Sequence, residues 1–149
     1  MATRDTPFGA YNFIVDLNDG TDTTQTIGGF SDVSGLNTEI TMMDYRVGNA
    51  KENHVIKCAG LNKHGEVTFK RGMVGARNFW DWIKATRTSP NQRRTLTITL
   101  LDEQRNPVMS WQLKGAQPSK YSPPVLAAKG GSDVAMEELV VVVEGFELV

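Results

Sequence analysis

The feature that most constrains this chain is a single change of hydrophobic period. Apolar residues alternate one in two through most of the sequence and recur at helical spacing only between Val74 and Ala85. Successive strand residues point to opposite faces, whereas residues three and four apart share a helix face. The stretch "YNFIVDL" (11–17) places Tyr11, Phe13, Val15 and Leu17 on one side of a strand. "EVTFKRG" (66–72) does the same with Val67 and Phe69. "RTLTITLLDEQRNPVMSWQL" (94–113) reads as a hairpin, with Leu96, Ile98 and Leu100 alternating with threonines and Met109, Trp111 and Leu113 on the return strand. In the helical stretch, Ala76, Phe79, Trp80 and Ile83 form one stripe, and Pro90 prevents its continuation. Phe79, Trp80 and Ile83 are therefore the expected packing core of one helix laid on a sheet. Trp82 lies off that stripe and is expected to cover a sheet edge or to face another subunit.

The remaining segments fit the same plan. Residues 18–26 read as a polar turn, 27–35 as a short strand loosened by Gly28 and Gly29, and 36–48 as a long strand in which Leu36, Ile40 and Met42 share a parity. Residues 49–55 read as a polar loop or hairpin tip, 55–58 as a strand, and Gly60 and Gly65 as the bounds of a turn. Three prolines in "GAQPSKYSPP" (115–124) mark a rigid connection rather than a central strand. "VAMEELVVVVEGFELV" (134–149) reads as a continuous strand buried on both faces. Together these predict a mainly β fold, an antiparallel β-sandwich or split barrel with one flanking α-helix. The length, 149 residues, suits a single domain over 1–149.

Composition removes several function classes. Sixteen basic against seventeen acidic residues leave a net charge of −1, whereas a dedicated nucleic-acid binder carries a basic excess. A local patch of Arg71, Lys84 and Arg87 beside Phe79, Trp80 and Trp82 could still stack bases. Cys58 is the single cysteine, so no disulfide staples the chain to itself. His54, Cys58 and His64 lack the paired spacing of a zinc module, and no cofactor or metal is expected. Gly60 and Gly65 are followed by Glu66 and Val67 where a phosphate-binding loop needs Lys and Ser or Thr. The acid pairs Asp102/Glu103 and Glu137/Glu138 point to opposite faces of a strand or sit at a turn, and no nucleophile elbow appears, so no enzyme is expected. The apolar run at 139–143 is too short to cross a bilayer, and the N-terminus shows no signal-peptide core, so synthesis in the cytoplasm without membrane anchoring is expected. Assembly remains, because open sheet edges pair with other chains unless blocked.

The order of pieces resembles the T4-like tail tube family of contractile phages and contractile injection systems. "YNFIVDL", "GFSDVSGLNTEI", "YRVG", "GLNKHGEVTFKRG", "FWDWI", "RRTLTITLLDEQRNPVMSWQL", "AQPSKYSPPVLAAKG" and "VAMEELVVVVEGFELV" carry the resemblance nearly end to end. It implies a structural subunit whose identical copies form hexameric rings, joined into one continuous ring-shaped β-barrel and stacked into a hollow tube inside a contractile sheath. Sheath, baseplate and terminator proteins are the implied partners, with DNA or protein as cargo in the lumen. The particle is a phage tail or an injection system. On this reading "YRVGNAKENHVIK" is an extended hairpin reaching the neighbouring ring, with Arg46, Lys51, Glu52 and Lys57 in polar contact across rings. The lumen lining comes from strands near 36–46, 55–58, 66–70 or 108–114. A type VI secretion ring protein and a small β-sandwich binding module using the Trp82 face are the alternatives.

Overall fold

The hairpin of β6 (Arg94–Leu101) and β7 (Pro107–Ser122) organises the fold. Its register sets Leu96 opposite Leu113, Ile98 opposite Trp111 and Leu100 opposite Met109. The Asp102 carboxylate accepts hydrogen bonds from the Gln104 and Asn106 amides (2.9 and 2.8 Å), which fixes the turn. This computed structural model describes residues 3–17, 29–49, 51–75, 77–90, 93–131 and 133–149. The polar turn expected at 18–26 lies outside them.

Strand β7 belongs to two layers. Its first half pairs with β6 on one side and with β9 (Gly145–Leu148) on the other, while β1 (Phe13–Asp16) pairs with the far edge of β6. Its second half pairs with β8 (Met136–Val142), which pairs with β5 (Val67–Gly72), which pairs with the short β2 (Asp32–Ser34). Every pairing is antiparallel. Val15, Leu17, Leu96, Ile98, Leu113 and Ala116 from the first layer meet Val67, Phe69, Leu139 and Val141 from the second, all buried. This is the expected sandwich-like, mainly β architecture. It is not a closed barrel: among the described residues β1 and β2 each have one neighbour. A cleft of about 470 Å³ opens beside them, lined by Phe13, Val33, Leu36, Leu100 and Trp111 among others.

Three expectations need correction. The proline-rich segment is not a connection, because β7 runs through Pro118 to Ser122. Beyond Ala116 its pairing with β6 has ended, and Pro118 sits beside an irregularity in the β8 ladder. An edge and a bulge are the places where a sheet tolerates a residue without an N–H. The C-terminal run is not one strand buried on both faces. It breaks at Val143 and Glu144 and changes layer, and in β8 only Glu137, Leu139 and Val141 are buried. Residues 60–64 are not a turn but the end of a strand described below; the turn is Gly65 and Glu66.

Helix α1 (Asn78–Thr88) is the helix of the described residues. It begins four residues later than the periodicity suggests, after Gly75 at φ +84°. Ala76 lies outside the described residues. The stripe that faces the sheets is Phe79, Trp82, Ile83 and Thr86, a rotation away from the expected one. Phe79 and Trp82 are buried, and Trp80 and Ile83 are half-buried. Trp82 therefore belongs to the core and covers no outer edge. Trp80 flanks the stripe between the Tyr121 ring (6.3 Å between centroids) and the Arg87 guanidinium.

Arg71, at the end of the inward-facing row of β5, is wholly buried beneath the helix and takes no part in a basic surface patch. Its Nε donates to Glu137 on β8 and its Nη2 to Asn78 at the start of α1. Its guanidinium lies 3.9 Å from the centroid of Phe79. The Tyr121 hydroxyl donates to the other Glu137 oxygen at 2.8 Å. Burial first, then this bond, raises the Tyr121 phenol above its ordinary pKa. One buried ion pair thus ties β5, β7, β8 and α1 together.

Candidate assembly surface

Two strands take no part in the sandwich. Among the described residues, β3 (Thr38–Tyr45) and β4 (Ile56–His64) pair only with each other. Their ladder nevertheless continues the one between β2 and β5. Ser34 faces Thr68 and Thr38 faces His64, so the two residue numbers of each antiparallel pair keep the same sum across the gap. The second layer therefore prolongs its outermost ribbon beyond the sandwich as an arm. Eight residues of β3 reach about 26 Å at the usual strand rise.

The joint between ribbon and arm depends on two glycines. Gly35 has φ +84°, and a Cβ there would stand 2.1 Å from the Glu66 carbonyl oxygen. A Cβ on Gly65 would meet the Asn37 side chain, and the Gly65 amide donates to the Asn37 carbonyl at 3.3 Å. Side chains at either position would push the two chains apart. Further out, the register shifts between Ile40 and Met42, where Gly60 and Leu61 oppose Thr41. Such a bulge bends and twists a ribbon.

Both faces of the arm carry exposed apolar side chains. Thr38, Ile40, Met42 and Asp44 share one face; Glu39, Thr41, Met43 and Tyr45 share the other. All eight residues of β3 are exposed, with Met42, Met43 and Tyr45 each more than half accessible, and Leu61 on β4 is 81 % exposed. Together with Val47, Val55 and Ile56 these residues present on the order of 800 Å² of surface, divided between the two faces of the ribbon. The largest patch on an ordinary monomer is about 300–600 Å². A two-stranded hairpin without a third strand or a helix beneath it is at best marginally stable in water. The arm therefore has the composition of a surface meant to be covered.

Its polar groups gather towards the tip. Lys57 and Asp44 are directly opposite and paired at 2.5 Å. Arg46 donates to Asn53 at 3.2 Å across the tip, and Glu52 lies 3.3 Å from His54 Nδ1. The structure thus brings Arg46, Lys51, Glu52 and Lys57 to one end of the arm, all exposed. Reading the sequence for charge missed the apolar part of the site. The signal was "MMDY", in which adjacent large apolar residues give a strand two greasy faces and no wet one. Among the described residues no group of three His, Cys, Asp or Glu side chains gathers to hold a metal ion, and no helix is long and apolar enough to cross a membrane.

Sandwich, flanking helix and projecting ribbon together define a mainly β subunit with an uncovered arm. The profile of the T4-like virus tail tube protein gp19 family matches residues 9–147, and the chain belongs to that family. No curated protein matches it in sequence. Among solved structures, a chain of the sheath–tube complex of the extracellular contractile injection system PVC in its extended state superposes with a TM-score of 0.83 at 23% identity, covering 97% of this chain and 93% of that one. A chain of the tube-terminating cap of the anti-feeding prophage gives 0.83 at 21%, covering 100% and 95%. A type six secretion system protein is more distant, at 0.55 and 13%, covering 93% and 83%. At these identities the likeness is one of fold.

Proposed function

We propose that the chain is the inner-tube subunit of a contractile injection machine. Identical copies close into a hexameric ring, the rings stack into a hollow tube inside a contractile sheath, and DNA or protein cargo passes along the lumen. The observation that carries this reading is the arm: a ribbon in register with the sandwich, apolar on both faces, with no core of its own. Family membership supports it, and so does the fold shared with chains of sheath–tube, cap and baseplate complexes. The open edges at β1 and β2 supply strands through which neighbours join into one barrel, and a head-to-tail contact whose rotation closes yields a ring. The part is structural rather than catalytic. All 149 residues act as one tube domain, made in the cytoplasm and built into the particle. Its partners are further copies of itself, the sheath, the baseplate and the terminator. The type VI reading is the weaker one, because that likeness is much lower. A binding module using the Trp82 face fails because Trp82 is 1% exposed.

Negative-stain images of the purified full chain test the reading. Rings or tubes of uniform bore are expected; a monodisperse monomer at high concentration overturns it. Within such tubes, Lys51 and Glu52 contribute across rings at the arm tip. The exchange K51E/E52K keeps the net charge and the fold, and is expected to shorten tubes. Tubes of unchanged length would remove that role from these two residues.

A further inference from the structure

The two faces of the arm carry the same kind of side chain at their centre. Met42 and Met43 are neighbours in β3, so their thioethers point to opposite faces of the ribbon. At 56 and 54% they are the most exposed methionines among the described residues; Met73 is 40% exposed, and Met109 and Met136 are half-buried. What stands across from them is small. Met42 faces Ala59 and Met43 faces Cys58, and a Cβ added to Gly60 would lie 3.6 Å from Met43 Cγ and Cε. The residues directly opposed on β4 are thus too small to cover either sulfur.

We propose that Met42 and Met43 form a redox-sensitive switch on assembly: sulfoxidation of the free subunit by hydrogen peroxide prevents its arm from seating on other copies. Resting on the tube reading above, the inference names a regulation of that same surface. A thioether is a soft, adaptable apolar contact, suited to a surface that is wet in one state and covered in another. In the reaction a sulfur lone pair attacks one peroxide oxygen, the O–O bond breaks, and the second oxygen leaves with both hydrogens as water. The sulfur is oxidised by two electrons and the peroxide is reduced. Each sulfoxide is polar and chiral, and disrupts a methionine-rich contact. Because the two residues are adjacent, one oxygen on each places a polar group on both faces of the ribbon. Once the arm is covered the sulfurs are out of reach, so the switch acts before assembly. Methionine sulfoxide reductases, one for each sulfoxide epimer and supplied with a thiol, reverse it.

The test uses dilute full-length subunits treated with hydrogen peroxide, cleared of it with catalase and then concentrated, each chain compared with its own untreated sample. In the native chain, mean tube length is expected to fall about tenfold or more as Met42 and Met43 each gain one oxygen, and to recover after treatment with both reductases. In M42L/M43L, treated and untreated tubes are expected to have equal length. Met73→Leu, and Cys58→Ala, which removes the single thiol, are expected to remain as sensitive as the native chain. Ordinary tubes from oxidised native subunits, arm sulfurs that gain no oxygen, a loss that the reductases do not reverse, or a sensitivity that survives M42L/M43L or vanishes in either control overturns the switch and leaves the tube reading intact. An untreated native chain that forms no rings refutes the tube reading instead. A second measurement needs no substitution. In preformed tubes the two methionines are expected to oxidise about tenfold or more slowly than in dilute subunits; equal rates overturn the proposal.

Discussion

Removing one member of the Arg71–Glu137 pair is expected to be among the most costly single changes this subunit can suffer. Both side chains are essentially inaccessible, at 0 and 1% exposure. In Glu137→Ala the guanidinium loses the Glu137 carboxylate, and the Tyr121 hydroxyl loses its acceptor. Breaking a buried pair from one side costs about 3–5 kcal/mol, because a charge is left buried without compensation. A subunit of this size has a total stability of about 5–15 kcal/mol, so about a fifth or more of it is at stake. At about 2–4 °C per kcal/mol, the melting temperature falls by roughly 6–20 °C. Arg71→Met leaves the carboxylate buried and is expected to cost a similar amount. The double variant R71M/E137L removes both charges and conserves volume, and is expected to recover most of the loss. Urea unfolding followed by tryptophan fluorescence reads all four corners of this cycle. It is run on dilute subunits, so that assembly does not add to the apparent stability. A single-substitution cost below about 1 kcal/mol, or a double variant as unstable as the two single losses added together, would refute the reasoning, since uncompensated buried charge is its whole basis.

Two further outcomes follow from other parts of the molecule. Arg4 donates two hydrogen bonds to the Glu103 carboxylate (2.9 and 3.0 Å) and lies over Phe8, latching the N-terminal segment to the β6–β7 turn. The Arg4 bonds, and secondly a backbone bond, lower the Glu103 pKa from 4.5 to about 2. A depressed folded-state pKa stabilises above the unfolded value, so the latch is expected to be at full strength above pH 4.5 and to be lost as pH falls through about 2. A carboxyl NMR titration of the native chain and of Arg4→Ala checks this; a Glu103 midpoint unmoved by the substitution would exclude the latch. At the arm's joint, Gly35→Ala forces a side chain into left-handed backbone at about 1–2 kcal/mol and drives its Cβ onto the Glu66 carbonyl. It is expected to lower stability by at least that amount and to shorten tubes, as read by denaturation and imaging; native behaviour in both would show that the joint tolerates a shift.

Much of the sandwich was legible because alternation in the sequence records burial inside one subunit. Val67 and Phe69, Leu96 and Ile98, and Val15 and Leu17 all occupy the core their parity predicts. Where the reading failed, burial came from a source that parity does not encode. The helix stripe was placed with Trp80 at its centre, yet Trp82 fills the core. Periodicity fixes which residues share a face, and the sheets choose which of two overlapping faces they receive. Pro118 spoke against a strand because sequence does not reveal that β7 loses its β6 partner after Ala116.

The arm is the informative case. Its threonines and charges read as a wet strand, and its methionines read as a buried one; within a single copy neither reading holds. A strand with large apolar residues at successive positions, such as Met42 and Met43, needs cover on both sides, and a ribbon that leaves the sandwich has none to offer. The proposed assembly supplies the missing layers from other copies of the chain. On the proposed assembly, β3 and β4 encode burial between subunits, and the two glycines at the joint belong to that same pattern. A side chain at either would push the two segments apart at the joint from which the arm leaves the sandwich.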